Sequence, residues 1–493
     1  MVKGCRRLFL GFAVLLSACQ SAIPPVVQSF TPDTKPSSTS ILLPTIFTPS
    51  QTPSSTPTLP PTLTPIPTPM PTSLPAAIYQ NSFAVGFSTD GNILAFNSSL
   101  DRLVPDDQNH MMDPFIYQTE NGVIQRISAK NEGLFRNDTA SMAVSLSADG
   151  RYLLFGASSN NSVPAVDHYN FITLRDLVTG QDERIDLTPF EKQFSTPGVS
   201  AVSLSPDGRY LALEVASNHW SIYLWERSTG RIIPVSVNPD WPPYAIGDSY
   251  EPVFSLDGRY LTFVSSANNL APGDAPCSDV NPNCGDVFVY EIGTGSLERI
   301  PAKIRFNEGE PYPYLTVSNN ARWLAWTEVD FSSPSFPVIV RLFDRSTSKT
   351  ETVCVGVGPS CSGHSPSISA DGRWLAFSTF PATDLSGQRQ PESYAQVYLL
   401  DHQTGQLTLV SADSIGAQGN GNSGMISLQQ EGSSSDVRIS GDGRFVAFSS
   451  QAANLLPAGV EKRQCFDPII VGAYHCYDLF IYNRQTKMLY WLG

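Results

Sequence analysis

Basic side chains are scarce in this sequence. Its 493 residues hold 31 Lys and Arg against 45 Asp and Glu, giving a net charge of −14 and a pI near 4.9. A nucleic-acid binder normally presents a basic patch or a high domain pI, so nucleic acid is set aside as a partner. Long apolar runs are also missing. The stretch from Leu8 to Leu16 falls well short of the roughly 20 residues that a membrane-spanning helix needs. Histidines are few and scattered, at His110, His168, His219, His364, His402 and His475. None forms an HxxxH pair or adjoins a GxSxG nucleophile, and no catalytic residue is assigned. His364 and His475 lie near cysteines, which alone is not a catalytic arrangement. No two cysteines stand at the CxxC-like spacing of a zinc site.

What is present begins at residue 1. Lys3, Arg6 and Arg7 precede the apolar run, and Leu16-Ser17-Ala18-Cys19 follows it. Basic, apolar, then small residues is the order of a secretory signal. Leu-Ser-Ala-Cys resembles the lipobox of bacterial lipoproteins. The resemblance implies a signal peptide over 1–18, cleavage before Cys19 and diacylglycerol on its sulfur. An ordinary secretory signal that contains a cysteine is the alternative. The mature chain would carry a charge near −17, since three basic residues leave with the signal. Its attachment would come from acyl chains, at about 0.8 kcal/mol per buried methylene. The expected location is the bacterial cell envelope, membrane-anchored and extracytoplasmic.

Cys5 leaves with that signal. The remaining six cysteines fall as Cys277/Cys284, Cys354/Cys361 and Cys465/Cys476. An even number in close pairs in an exported chain reads as disulfides. Each would close a short loop, for roughly 2–3 kcal/mol in the chain-entropy account.

Residues 20–75 contain fifteen prolines and two charged side chains, Asp33 and Lys35. Proline removes a donor and restricts its predecessor, so this Pro/Thr/Ser-rich tract forms no helix. It reads as a disordered, extended stalk, at about 3.1 Å per residue where fully stretched. Its Thr and Ser residues are candidate glycosylation sites.

From there the chain repeats. Seven copies of one pattern occur: Phe87-Ser-Thr-Asp-Gly-Asn-Ile-Leu-Ala-Phe96, then copies with Asp149-Gly150, Asp207-Gly208, Asp257-Gly258, Asn320-Ala321, Asp371-Gly372 and Asp442-Gly443. Successive copies are roughly 50–70 residues apart. In each, an apolar residue ends one strand, Asp-Gly turns the chain, and an alternating strand follows. The fifth copy is degenerate, and Asn319 and Asn320 take part of the turn role. A second hairpin lies further on, turning at Gly122, Gly180, Gly230, Gly295 and Gly405. Four short strands per copy, repeated radially, make a propeller.

The Asp-Gly-Arg-aromatic-Leu-Ala-Phe core resembles the WD40-like PD40 repeat of TolB-type propellers. The resemblance covers nearly all of 80–493. It implies an all-β fold, a β-propeller of about seven four-stranded blades over 76–493, with six possible because TolB-type propellers often have six. Closure of the ring is open, including whether 76–80 completes the last blade.

Three local features invite chemistry. The turn aspartates read as hairpin formers. Gly419-Asn420-Gly421-Asn422-Ser423-Gly424 matches GxGxxG, but a dinucleotide site needs it between a strand and a helix, and here it stands in a polar loop. No cofactor is expected. Asp279, Asn281 and Asn283 space oxygens as a calcium loop does, though Gly285 and Glu291 each come one place late. A surface loop stapled by Cys277 and Cys284 is the default, with calcium a weak candidate.

Two function classes remain. One is a binding or scaffolding module at the envelope, for an unidentified envelope protein, peptide or glycan, with specificity in the inserts between the repeated hairpins. The other is a propeller-only hydrolase or lyase acting in the central channel. Carboxylates with His or Arg in that channel would favour it. An attached α/β-hydrolase domain of the prolyl-oligopeptidase kind is not expected, since the copies run from Phe83 to Trp491.

Overall fold

The computed structural model describes residues 81–493 apart from 102, 106, 108–111, 128–140, 158–170, 186, 188–198, 217–218, 238–246, 272–283, 306–313, 331–337, 356–361, 380–393, 425–436, 463 and 468–471. The signal, Cys19, the stalk and 76–80 lie outside the described residues. So do Cys277, Asp279, Asn281, Asn283 and Cys361.

Each repeat forms its own four-stranded antiparallel sheet in sequence order, and there are seven. The fifth, degenerate copy makes a full blade, so the ring has the expected seven blades and not the six left open. The innermost strands are Ser82–Phe87, Ser141–Leu146, Val199–Leu204, Ser249–Phe254, Leu315–Val317, His364–Ile368 and Arg438–Ile439. Each contacts the innermost strand of the next blade, and the last contacts the first. The ring is therefore closed around a central channel.

Closure uses no strand exchange, because the last blade's outer strand, Met488–Trp491, belongs to its own copy. The seam is held by direct bonds instead. Ser82 N–H donates to the Tyr477 carbonyl (3.0 Å) and Tyr477 N–H to Asn81 Oδ1 (3.1 Å). Ser449 Oγ donates to the Ser82 carbonyl (2.6 Å), and Arg438 Nε to that of Val85 (2.8 Å). Phe87 stacks on Phe445 at 6.2 Å.

The core is divided the same way. Seven apolar clusters each span two neighbouring blades, for example Leu154, Ile172 and Leu174 against Leu204, Leu211 and Leu213. Phe96, Phe155, Phe263, Phe377 and Phe448, the last residues of five repeat cores, are fully buried. Burying one such side chain contributes about 1.5–3 kcal/mol. The alternation of the second strand thus does what its pattern promised.

The turn is built by more than Asp-Gly. In six copies the Ser two places before Asp donates its Oγ to Asp Oδ1, at 2.5–2.7 Å. Asp Oδ1 also accepts the N–H two residues on, as Arg373 N–H does at 3.0 Å. Ser Oγ accepts the N–H five residues on, as Trp374 N–H does at 2.9 Å. In the fifth copy Asn320 Oδ1 takes the Arg322 N–H (3.1 Å), and Ala321 stands at φ 51° where the other copies have Gly.

Antiparallel order gives the disc two unlike faces. The Asp-Gly turns and the turns between third and fourth strands share one face. The connections between second and third strands, and between blades, begin and end on the other. These are the long segments of the sequence, and Asn81 and Gly493 are on that face too. The seventh blade adds a hairpin there, Gln464–Asp467 paired with Gly472–His475, which the four-strand pattern had not anticipated.

Candidate functional site

The turn face is closed by its own interactions. Arg151, Arg209, Arg259, Arg322 and Arg373 each lie over the aromatic ring that follows them, at 4.9–5.3 Å. Each also pairs with an acid ending the third strand of its blade: Asp176, Glu226, Glu291, Asp344 and Asp401. The Arg373 hydrogen bond holds the Asp401 carboxyl down at about 2, and Arg151 does the same for Asp176. The residue after this strand end reaches the preceding blade: Arg227 over Tyr152, Arg345 over Tyr260, Arg484 (after Asn483 rather than an acid) over Trp374, and the His402 ring on Trp323 at 4.5 Å.

Backbone bonds tie neighbouring turns together as well. Asp257 N–H donates to Asn319 O, Asn319 N–H to Ala370 O, Ala370 N–H to Gly441 O, Asp442 N–H to Thr89 O and Thr89 N–H to Ala148 O, at 2.7–3.0 Å. The third copy has Pro206 at the donor position, and proline has no N–H to give. The turn aspartates therefore act as hairpin formers, as their spacing suggested.

On the long-connection face, 410–424 and 451–462 are ordered against each other. Asn420 Oδ1 accepts Ala453 N–H (2.7 Å), Asn422 Oδ1 accepts Ala395 N–H (3.1 Å), and Gln396 Nε2 donates to the Gly419 carbonyl (2.8 Å). The GxGxxG-like segment is thus a polar stitch between the sixth and seventh blades. Cys354 and Cys476 are disulfide-bonded. Their partners' side chains, and those of Cys277 and Cys284, lie outside the described residues. Of the described cysteines, Cys284 begins the third strand of the fourth blade, and Cys354 and Cys476 lie at the ends of connections of this face.

Two innermost strands carry charged groups that no sequence motif marks, Glu251 and Arg438. Most copies place a small side chain one residue before the end of the inner strand: Gly86, Ser145, Ser203, Thr316 and Ser367. Three of these hydroxyls accept the N–H of the next blade's strand, from Leu204, Ile368 and Ile439, at 3.1–3.3 Å. The seventh copy has Arg438 there. Three residues before the strand end the copies read Ala84, Ala143, Ala201, Glu251, Tyr314 and Ser365. Glu251 sits on a bulge at φ 58°. Its N–H is held by Oε1 of the buried Glu214 of the third blade at 2.7 Å. Glu251 and Arg438 interact although they come from the fourth and seventh blades, so both face the lumen. Removal from bulk water pushes the Glu251 carboxyl up to about 7, against the opposing pull of Arg438. Of the scattered histidines, His364 is buried beside this wall. Its ring packs edge-on to Tyr314 at 4.8 Å, and its Nδ1 lies 2.6 Å from Ser365 Oγ. Burial alone lowers it to about 3. Among the described residues no cluster of three His, Cys, Asp or Glu could hold a metal ion.

No family model and no curated protein matches this sequence. Among solved structures the chain is similar to TolB from Acinetobacter baumannii, with 17% identity over 68% of this chain and 64% of that one and a TM-score of 0.37. It is similar to a prolyl endopeptidase at 11% identity over 84% of this chain and 50% of that one, TM-score 0.49. An oligogalacturonate lyase from Vibrio parahaemolyticus gives 10% identity over 76% and 87%, TM-score 0.42. The chain spans just under two thirds of that TolB and half of the endopeptidase. The fold is a TolB-like propeller, a statement carried by the repeat and the closed ring of seven blades.

Proposed function

We propose that this propeller is a binding or scaffolding module, lipid-anchored through Cys19 on the extracytoplasmic side of a bacterial envelope, and that it engages its partner with the long-connection face. One observation carries the reading. Among the described residues the turn face pairs most of its own charges and ties neighbouring turns by backbone bonds, whereas the long connections of the sequence start and end on the opposite face. Variable loops on a rigid scaffold are where recognition resides. The pairs Cys277–Cys284, Cys354–Cys361 and Cys465–Cys476 would stiffen three of those connections and lower the ordering cost of binding. A partner protein, peptide or glycan of the envelope fits this arrangement. Retention from an envelope extract and on glycan arrays by residues 76–493 tests it, and substitutions on the turn face should leave retention unchanged. Binding lost from the turn face instead would overturn it. Fatty-acid analogue labelling that disappears in Cys19→Ala tests the anchor.

The propeller-only hydrolase or lyase is kept as a second reading because Glu251, on an innermost strand, is held by Glu214 and feels the charge of Arg438 from another innermost strand. Turnover in a hydrolase or lyase screen, abolished by Glu251→Gln, would favour it over the binding module.

A further inference from the structure

The contacts between blades on the turn face can be compared copy by copy, because its turns and strand ends all lie within the described residues. Register fixes the comparison. In the second, fourth and fifth blades the outer strand places Glu183, Glu298 and Glu351 opposite Leu174, Val289 and Leu342. The next blade meets each acid with the residue that follows its own third strand. Arg227 pairs with Glu183, Arg345 with Glu298 at 2.8 Å, and His402 Nε2 lies 3.2 Å from Glu351 Oε2. The same three residues touch the aromatic that opens the second strand of the preceding blade, Tyr152, Tyr260 and Trp323. In the third blade the outer-strand position is Ile233, opposite Leu224. There the next blade supplies Ile292, and both pack on one apolar cluster.

Apolar thus meets apolar, and acid meets base. His402 differs from the other two bases in kind. A guanidinium keeps its charge at any ordinary pH, whereas an imidazole does not. The neutral ring can still donate one hydrogen bond to Glu351. It lacks the charge that strengthens a bond to carboxylate and a contact with an indole. The ring is 18% exposed and Glu351 58% exposed, so protons reach the pair and salt screens it.

The other charged groups around the ring are engaged elsewhere or stand apart. On the fifth blade, Arg322 lies over Trp323 and pairs with Asp344, and Arg345 is turned to the fourth blade. Lys349 is two residues from Glu351 on the same side of the outer strand, and it is exposed. On the ring's own blade, the Arg373 carbonyl accepts the His402 N–H while the Arg373 guanidinium pairs with Asp401. Asp371 is bonded within its turn by Ser369 Oγ and Arg373 N–H. Glu351 is the acid that bonds the ring.

We propose that His402 and Glu351 form a proton-operated clamp, which holds the sixth blade against the fifth more tightly in acid than in alkali. The clamp does with a titratable ring what Arg227 and Arg345 do between their blades at any pH. Its stabilisation is present while the ring is protonated and is lost as pH rises through the range in which an imidazole gives up its proton. It stands on the turn face, and the partner face proposed above can fail without it.

A double-mutant cycle on the full chain, with His402→Gln and Glu351→Gln, measures the coupling of the two side chains in urea unfolding. The coupling, expressed as an equilibrium constant, is expected to be about 3–10-fold larger at pH 5.5 than at pH 8.5. It should shrink in 1 M salt. A second cycle, with His402→Arg in place of the parent, should give the same coupling at both pH values, which packing alone would not distinguish. Coupling in the first cycle that is equal at the two pH values, or larger at pH 8.5, overturns the proposal. So does a coupling in the His402→Arg cycle that still falls with pH, because the titrating group would then lie elsewhere.

Discussion

The glycine of the repeat carries two duties, and one pair of substitutions separates them. Gly372 stands at φ +74°, and a β-carbon there would lie 2.1 Å from Trp323 Cδ1 and 2.7 Å from Cγ, on the preceding blade. Gly405, in the second hairpin turn of the same blade, stands at φ +73° with nothing within 4 Å of such a carbon. Alanine at either site must hold a left-handed backbone, at roughly 1–2 kcal/mol. At 405 nothing else changes. At 372 the indole must move, yet it is pinned by Arg322 on one side and His402 on another. Overpacking of that kind costs about 1–3 kcal/mol more. We therefore expect Gly405→Ala to destabilise by about 1–2 kcal/mol and Gly372→Ala by about 2–5 kcal/mol. Urea unfolding of both proteins, followed by tryptophan fluorescence, measures the difference. The fifth blade provides a control, since Ala321 already occupies the equivalent left-handed position. There Ala321→Gly relieves the strain but loses a buried methyl at about 0.8 kcal/mol, so its net effect should stay within about 1 kcal/mol. Equal costs at 372 and 405 would refute the reasoning, because the aromatic of one blade would then not be packed on the turn of the next.

Glu251→Gln should alter the pH dependence of stability. The Glu251 midpoint is raised in the folded protein to about 7 from an ordinary 4.5, so its carboxyl favours the folded state most below pH 4.5 and loses that advantage as pH rises through 7. The variant should match the parent near pH 4 and exceed it by about 1–3 kcal/mol at pH 8, in thermal unfolding across that range. His364 works in the other direction. Its lowered value means that the unfolded chain gains a proton first as pH falls below 6.5. Replacing it with Gln should remove one proton from the uptake on unfolding at pH 5, measured by calorimetry in buffers of different ionisation enthalpy. Asp401→Ala removes the bonds to Arg373 and to Gln403 N–H and should cost about 1.5–3 kcal/mol in urea unfolding. Cys465→Ser should cost about 2–3 kcal/mol if it opens the expected loop to Cys476; intact mass before and after reduction checks the linkage.

Much of the architecture was legible because its signals are local. Asp-Gly turns and alternating strands act within ten residues, so seven copies announce seven hairpins wherever the chain later travels. The turn serine was equally visible in Ser88, Ser147 and Ser205, and its role is a matter of the same few residues. The second hairpin was read from Thr-Gly and Asn-Gly. It was missed in the fifth and seventh blades, where Ser348 and Lys487 hold the positive φ instead.

Relations between blades could not be read from one copy. The seam joins Asn81 to Tyr477 and Val85 to Arg438, and only closure of the ring brings such distant residues together. The two-faced disc follows from antiparallel order once four strands per blade are granted, but the tightness of the turn face rests on contacts from each blade to the next. The channel is the sharpest case. Glu251 and Arg438 are unremarkable in their own segments, although aligning the copies shows each as a departure from small neighbours. Their charges act on each other because the ring brings innermost strands of the fourth and seventh blades to one centre. The sequence by itself determined the repeated sheet, through backbone turn chemistry and side-chain alternation. Only the tertiary structure decided which faces are closed, how the ring is joined without exchanging a strand, and which distant charges share its centre.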